Sequence, residues 1–311
     1  MQSWKRCSWP FYVLMFPVLL FFASGVLADD GLLKSIAYRQ VLAINDLLRL
    51  PSDVAVDRQG RIYILDGTAG TIRVYDRQGN TMFTLGGNSI LNQPLGLDVT
   101  AEGDVLVADS GNHRLTLFPS DKGPPSFIAI PSPPDGKLSD PTDASYGKGE
   151  GIFHTVDNDN HRIVTLDRNG KILWSRGTMG RNPDEFRFPF MMDLDSDGNI
   201  YVVEVINTRV QVLTPDGDHI RFIGDWGIEP GQFFRPKGIA VSDKDEIFVS
   251  DSYLGVIQVF SRDGKFQGVI GDQTGHLIKF TTPVGLAVSG NRLLIIEMFN
   301  NRLLVMEKLS Q

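Results

Sequence analysis

The sequence predicts an all-β fold, a six-bladed β-propeller with four-stranded antiparallel blades, from two observations. First, short runs of alternating apolar and polar residues are separated by Gly and Asp turn residues, which is typical of antiparallel strands. Second, two landmarks recur six times: a Pro that begins the first run of a unit and an acid that ends its second run. Such a repeat predicts a propeller, because one unit alone cannot bury its apolar faces.

The landmarks keep a nearly constant spacing. Successive Pro residues are 43, 47, 48, 47 and 47 positions apart, and each acid follows its Pro by 14 to 16 residues. The Pro residues are Pro51, Pro94, Pro141, Pro189, Pro236 and Pro283. The acids are Asp66, Asp109, Asp157, Glu204, Asp251 and Glu297. The predicted repeat units are about 50–76, 93–118, 140–167, 188–213, 235–260 and 282–307.

The two ends of the repeat region predict how the ring closes. An alternating stretch, Ile36 to Ile44, precedes the first unit. The sixth unit ends after its third run, Leu303 to Met306, whereas the other five units carry a fourth run. We therefore predict that the N-terminal strand forms the outer edge of the last blade, which leaves no long open edge.

Residues 1–28 have the pattern of a secretory signal peptide: a basic start, an apolar run over 11–26 and small residues before the expected cleavage point. Residues 29–311 are then the propeller domain. The predicted location is secreted or periplasmic, with no membrane span after cleavage. An uncleaved N-terminal membrane anchor is the alternative, although Pro17 interrupts the short apolar run.

Composition excludes several classes of chemistry. The single cysteine, Cys7, lies in the predicted signal, so the mature chain has neither a disulfide framework nor a thiol nucleophile. The formal net charge is −7, and loss of the two cations in the signal would make it −9. No nucleic-acid partner is expected, because an acidic protein is repelled by the phosphate backbone.

The repeat units resemble NHL repeats. The closest match is PLGLDVTAEGDVLVADSGNHRLTLF, Pro94 to Phe118, followed by PKGIAVSDKDEIFVSDSYLGVIQVF, Pro236 to Phe260, and PFMMDLDSDGNIYVVEVINTRVQVL, Pro189 to Leu213. The linkers NPDEFRFP and EPGQFFRP also resemble the family's inter-repeat phrase. The resemblance implies a six-bladed propeller in which the loops after the second strands and the starts of the first strands share one face around a central channel. Related propellers include enzymes, RNA binders and protein-interaction platforms, so function has to be argued from the site.

The repeated acid and Arg predict structural loop pairs, because a feature present in nearly every unit is expected to hold the loop of each blade by a charge-assisted hydrogen bond. The predicted pairs are Asp109 with Arg114, Asp157 with Arg162, Glu204 with Arg209, and Glu297 with Arg302.

Unit four also contains an EF-hand-like spacing of acids, Asp193, Asp195, Asp197 and Glu204. An EF-hand loop must curl so that its last Glu returns to the ion, whereas this segment is predicted to be a strand. No metal or other cofactor is predicted, and a partial calcium site at Asp193, Asp195 and Asp197 remains the alternative.

Histidine positions bear on an enzymatic alternative. The peptide-amidating lyase, an NHL-like propeller, binds its metal through histidines near the starts of the first strands, and the resemblance places no His at those positions here. The corresponding positions of this chain are occupied by Leu95, Thr142, Phe190, Lys237 and Val284. The histidines of the mature chain are His113, His154, His161, His219 and His276, of which only His113 and His161 occupy equivalent loops. A gluconolactonase-like metal site would draw on Glu204, Glu297, Asn207 and Asn300.

Units four and five deviate from the others in a way that predicts a binding face. Phe190, Met191 and Met192 place bulky apolar groups where other units have Gly or small residues. Aromatic and basic residues lie nearby, namely Arg187, Arg235, Lys237, Tyr253 and Trp226. These residue types are enriched in the cores of interfaces. The alternative is that Phe190 and Met191 fill the channel and that Trp226 packs between blades.

The sequence therefore predicts a non-catalytic scaffold that binds an envelope protein or a peptide on this face. The alternative is a metal-dependent hydrolase or lyase, gluconolactonase-like or peptide-amidating-lyase-like, with its site in the central channel. The sequence does not indicate an oligomeric state.

Overall fold

The structure, a computed structural model, describes residues 34–45, 47–134 and 137–310. These residues form 24 strands and two short 3-10 helices, which confirms the all-β prediction. The predicted signal peptide and its alternative as an anchor fall on residues outside this part of the chain. In the described ranges, no helix is long and apolar enough to cross a membrane.

The first three strands of each unit lie at the predicted ranges, and the fourth strand of units one to five, which follows the range, is counted here with its unit. Strand β1, Ser35–Ile44, precedes unit one. Units one and two contain β2 (Pro51–Val56), β3 (Ile62–Asp66), β4 (Thr71–Tyr75), β5 (Thr81–Gly86), β6 (Leu97–Val99), β7 (Val105–Asp109), β8 (Arg114–Phe118) and β9 (Ser126–Ala129). Units three and four contain β10 (Pro141–Tyr146), β11 (Ile152–Asp157), β12 (Arg162–Asp167), β13 (Ile172–Arg176), β14 (Pro189–Leu194), β15 (Ile200–Glu204), β16 (Arg209–Leu213) and β17 (His219–Ile223). Units five and six contain β18 (Pro236–Val241), β19 (Ile247–Asp251), β20 (Val256–Phe260), β21 (Phe266–Gly271), β22 (Pro283–Ser289), β23 (Arg292–Glu297) and β24 (Arg302–Lys308).

The landmarks fall at strand boundaries. Each landmark acid is the last residue of the second strand of its unit, and the landmark Pro is the first residue of the first strand in five units. Unit two differs, because β6 begins at Leu97. Its backbone still pairs ahead of that point, since Leu95 N–H donates to Ala108 O at 3.2 Å and Ala108 N–H donates to Gly96 O at 2.9 Å.

Units one to four each form a separate four-stranded sheet whose neighbouring strands are antiparallel, as expected for propeller blades. Units five and six belong to one eight-stranded sheet in the order β18-β19-β20-β21-β1-β24-β23-β22. This sheet is mixed, because β1 pairs with one neighbour in parallel and with the other in antiparallel orientation.

Strand β1 closes unit six, as predicted, and also bonds to unit five. Residues Tyr38 to Ile44 pair antiparallel with β24, from Lys308 back to Leu303. The first three residues of β1, from Ser35 to Ala37, pair in parallel with β21. The parallel pairing was not predicted, and it is possible because a strand of ten residues is long enough to bond first to one edge and then to the other.

The core consists of hydrophobic clusters between consecutive units. The alternating apolar residues of each sheet pack on those of the next, so the described residues show six clusters, including one between unit six and unit one. Tyr38 of β1 packs in the cluster between units five and six. Ile44 packs in the cluster between units six and one. Strand β1 therefore contributes to the core on both sides of unit six.

Glycines allow the first strands of neighbouring units to approach closely. A Cβ atom placed on Gly238 would lie 1.7 Å from the carbonyl oxygen of Val284 in the next unit. A Cβ on Gly285 would lie 2.6 Å from the Cα of Asp53. The obstacle in both cases is backbone, which cannot rotate away as a side chain can. The first strands are therefore packed at a distance that only glycine permits at these positions.

We expect Gly238→Ala to lower the free energy of unfolding by about 3 kcal/mol, because the methyl group forces two first strands apart. Chemical denaturation with a spectroscopic readout measures the change. Gly123→Ala is the matched control, since its Cβ would meet only atoms of the Asp121 and Pro119 side chains at 3.0 Å or more. Equal stability of the two variants would contradict the close packing of β18 and β22.

Candidate functional site

The loops after the second strands and the segments before the first strands lie on one face, which we call the loop face. In every unit, the landmark acid accepts a hydrogen bond from a backbone N–H 16 or 17 residues earlier in the chain. In unit two, Asn92 N–H donates to Asp109 Oδ1 at 2.8 Å, and in unit three Asp140 N–H donates to Asp157 Oδ1 at 2.9 Å. The other units use Asp66, Glu204, Asp251 and Glu297 in the same way. The acid therefore fixes the beginning of its own blade.

The four predicted loop pairs are present as ion pairs. The guanidinium Nε of the Arg lies 2.9 Å from Asp109 Oδ2 in unit two and 2.8 Å from Asp157 Oδ2 in unit three. The remaining pairs are Glu204 with Arg209 and Glu297 with Arg302. All four carboxylates are buried. A buried carboxylate that accepts both a guanidinium and backbone N–H groups is a structural element of the loop.

The predicted binding-face residues differ in exposure. Trp226 and Tyr253 are both 65% exposed, and the Tyr253 ring lies 4.4 Å from the Phe234 ring, centroid to centroid. Phe190, the second residue of β14, is half-buried, with Lys237 Nζ 4.0 Å from its ring centroid. This contact joins the first strands of units four and five through a cation–π interaction.

Two further basic residues lie just before the first strands of units four and five. Arg235 is exposed and Arg187 is half-buried. Burial, followed by repulsion from Arg235, lowers the pKa of Lys237. In the part of the chain that the structure describes, Arg187, Arg235 and Lys237 form no ion pair with a carboxylate. Phe188, which is 44% exposed, extends the aromatic surface and packs edge-on against the ring of His161.

Met191 and Met192 do not contribute to the exposed surface. Both are buried, at 3% and 4% exposure, and both line the central channel. Met191 packs in the core between units four and five, and Met192 packs in the core between units three and four. The channel cavity they line has a volume of about 190 Å³.

Four aspartates line the same cavity, and three of them have no role predicted from the sequence. They are Asp53, Asp98, Asp143 and Asp193, one from the first strand of each of units one to four. Each accepts a hydrogen bond from a backbone N–H in the next unit. The donors are Leu97 at 2.9 Å, Tyr146 at 2.9 Å, Met192 at 2.7 Å and Val241 at 2.7 Å, in that order. The carboxylates therefore tie consecutive first strands together.

The environment of these carboxylates opposes ionisation. Burial raises the pKa of Asp98 to about 6, and burial with repulsion from Asp98 raises that of Asp193 to about 7. Burial, with repulsion from Asp98 and Asp193, raises the pKa of Asp53 to about 8. The pKa of Asp143 is raised well above its ordinary value, first by burial and then by Asp53. The sequence signal that could have identified this set is an acid at the second or fourth position after a landmark Pro.

The EF-hand-like acids of unit four do not converge. Asp193 faces the channel, whereas Asp195 closes a turn by accepting hydrogen bonds from Asp197 N–H and Asn199 N–H, both at 2.9 Å. Arg262 forms ion pairs with Asp195 and Asp197. Across residues 34–45, 47–134 and 137–310, no three His, Cys, Asp or Glu side chains are grouped so that they could hold one metal ion.

The residues of the gluconolactonase-like alternative stay within their own loops. Asn207 Nδ2 donates to Glu204, and Asn300 Nδ2 donates to Glu297 at 3.3 Å. Each asparagine therefore serves the loop-holding arrangement described above.

All five histidines of the predicted mature chain have hydrogen-bond partners. His113 Nδ1 lies 2.8 Å from Ser139 O, and His161 Nδ1 accepts a hydrogen bond from Phe188 N–H at 3.3 Å. His154 is buried beside Thr165, and burial lowers its pKa to about 4. His219 lies 2.9 Å from Gln211 Oε1, and His276 bonds to Thr274. His113 and His161 thus connect the loops of units two and three to the segment that precedes the next unit, whereas His154, His219 and His276 bond within their own units.

Comparison with known proteins supports the fold. The family model of the NHL repeat matches residues 91–118. A search of curated proteins finds no significant sequence match. The chain is similar in structure to a streptogramin B lyase, with 13% identity and a TM-score of 0.63 over 88% of this chain and 97% of the other. It is also similar to virginiamycin B lyase from Staphylococcus aureus, with 15% identity and a TM-score of 0.62 over 88% and 100%.

A third similar structure is the β-propeller domain of Cps50 (Swd1) from Myceliophteria thermophila, with 11% identity and a TM-score of 0.59 over 84% of each chain. At these identities, the structural likeness shows the fold alone. The matched repeat coincides with β7, β8 and the segment that precedes them. The chain therefore has a β-propeller fold and carries one segment, residues 91–118, that matches the NHL repeat.

Proposed function

We propose that this protein is a six-bladed propeller that binds an envelope protein or a peptide on its loop face, without catalysis, in a secreted or periplasmic location. The six blades are the four separate sheets plus two blades that share β1 in the eight-stranded sheet. The six hydrophobic clusters support this count, because a closed ring of six blades has six junctions.

One observation carries the binding proposal: three exposed aromatic side chains and two exposed isoleucines lie on the loop face of units four and five. The exposed set is Phe188, Ile206, Trp226, Ile228 and Tyr253. Unpaired basic groups lie among them, as described above. A soluble surface that combines exposed aromatic residues with Arg and Lys has the composition of the centre of an interface.

Photo-crosslinking tests the face directly. A photoreactive residue in place of Tyr253 is expected to form an adduct with an envelope component, and the same residue in place of Phe127 is not. Phe127 is the matched control, because it is 51% exposed on the outer strand β9. Adducts of equal yield from the two positions would refute the proposed face.

The affinity of the crosslinked partner is expected to fall at least tenfold in Trp226→Ala, because a truncated aromatic at the centre of an interface costs about 1–2 kcal/mol or more. Titration calorimetry with the purified partner gives this value. Phe127→Ala should bind as the unmodified protein does. If Trp226→Ala also binds unchanged, then Trp226 packs outside the interface.

A second candidate is a metal-dependent hydrolase or lyase that acts in the channel. The channel carboxylates favour it, and two similar propellers are lyases by name. This candidate predicts a stoichiometric divalent ion in the purified protein and a higher melting temperature with calcium or zinc. Elemental analysis and thermal shift distinguish the two candidates. The binding scaffold predicts neither a bound ion nor a shift.

A further inference from the structure

A cavity of about 260 Å³ lies between units six and one, at the end of the sheets opposite the loop face. Three turns form it: the turn between β2 and β3, the turn between β4 and β5, and the turn between β22 and β23. Three arginines line it: Arg58 and Arg77 lie in the first two turns, and Arg292 is the first residue of β23. Buried apolar residues complete the lining, among them Ile62, Leu294 and Val305.

The three turns are in direct contact. The side chain of Arg77 lies over Gly60, where an added Cβ would be 3.4 Å from Arg77 Cδ. Gly60 has a φ of +78°, which a side chain would strain, so glycine keeps this turn open beneath the arginine. Arg292 Nη1 donates to the carbonyl oxygen of Arg77 at 3.3 Å. The guanidinium of Arg292 is thereby held next to the turn that carries Arg77.

Among the described residues, these three arginines have no carboxylate within ion-pair distance, and Arg292 Nε is buried without a hydrogen-bond partner. The acid whose charge interacts with Arg292 is Glu307, and Arg39 already binds it at 2.6 Å. Three cations around one cavity repel each other, and a buried donor without an acceptor is unfavourable. A bound anion would relieve both costs.

We propose that this cavity binds a small organic anion, with its carboxylate or phosphate group among Arg58, Arg77 and Arg292 and its apolar part against the floor. Guanidinium groups match the geometry of both oxyanions through paired N–H donors. At roughly 30 Å³ for each water-sized group, the cavity holds about nine such groups, which suits a ligand with one ring or a short chain. The site is separate from the proposed loop-face function.

Binding of benzoate, phenyl phosphate, inorganic phosphate and benzyl alcohol to the full chain tests the proposal. Titration calorimetry and the melting temperature are the two readouts. We expect benzoate or phenyl phosphate to bind and to raise the melting temperature, with the tighter of the two identifying the preferred oxyanion. Inorganic phosphate should bind more weakly, because it lacks the apolar part. Benzyl alcohol, which has the ring without the charge, should not bind.

Substitutions locate the binding. Arg292→Gln and Arg58→Gln are each expected to lower the affinity for the organic anion at least tenfold. Arg58 is exposed, so its substitution tests the site even if Arg292→Gln disturbs folding. Arg168→Gln is the matched control, because Arg168 occupies the equivalent turn of unit three and lies over Gly151 as Arg77 lies over Gly60. Unchanged affinity in Arg58→Gln, equal binding of benzyl alcohol, or no binding of either organic anion would overturn the proposal.

Discussion

A chain that begins at residue 50 is expected to be unfolded or only partly folded at 25 °C. It lacks β1, which pairs with β24 and β21 and places Tyr38 and Ile44 in two core clusters. Burial of two such side chains contributes about 4 kcal/mol, and the lost strand ladder adds to this. A typical domain has only about 5–15 kcal/mol of total stability.

Circular dichroism and urea denaturation measure this effect. A chain that begins at residue 34 is the control, since it retains the whole of β1. We expect the control to unfold cooperatively at nearly the same urea concentration as the full chain. Equal stability of the chains that begin at residues 34 and 50 would show that ring closure does not depend on β1.

The second large expected effect is a loss of stability as the pH rises from 6.5 to 8.5. The folded-state pKa values of the channel aspartates lie above their unfolded-state value. They are about 7 for Asp193 and about 8 for Asp53. The native state therefore retains protons that the unfolded state has already lost, and stability falls as the pH passes through the folded-state pKa. At about 1.4 kcal/mol per pKa unit, we expect a fall of about 3 kcal/mol over this range.

The pH range is chosen to separate the aspartates from the histidines. Burial lowers the pKa of His154 to about 4, so this residue makes stability rise with pH below about 6.5 and opposes the aspartates there. Asp53→Asn should flatten the dependence between pH 6.5 and 8.5. Asp216→Asn, in an exposed turn, should leave the slope unchanged. Urea midpoints at each pH give the slope, and an unchanged slope in Asp53→Asn would contradict the assignment.

The sequence predicted the strand pattern well because its signals are local. A Pro begins a first strand, an acid ends a second strand, and the apolar alternation between them has the period of a half-buried strand. Closure by Ile36 to Ile44 also followed, since a unit without a fourth run requires an edge. The parallel pairing of Ser35 to Ala37 with β21 could not be predicted from the sequence, because no local pattern distinguishes one available strand edge from another.

The site was less predictable because it depends on contacts between distant units. Asp53 and Asp143 are 90 positions apart, and only the ring brings their charges close enough to raise each other's pKa. The exposure of Trp226 and the burial of Met191 also depend on how the neighbouring blades pack. Sequence periodicity identifies which face of a strand is apolar, but it does not show how far each side chain protrudes after the ring has closed.

The pairing of β1 with β24 also bears on folding kinetics. Tyr38 lies opposite Lys308 across 270 positions of sequence, one of the largest separations that a contact in this chain can have. Contacts of such high order form late, because the entropy of closing so long a loop must be overcome first. Until β1 has paired, the edges of both β21 and β24 are exposed. We therefore expect intermediates to associate with one another at these two edges.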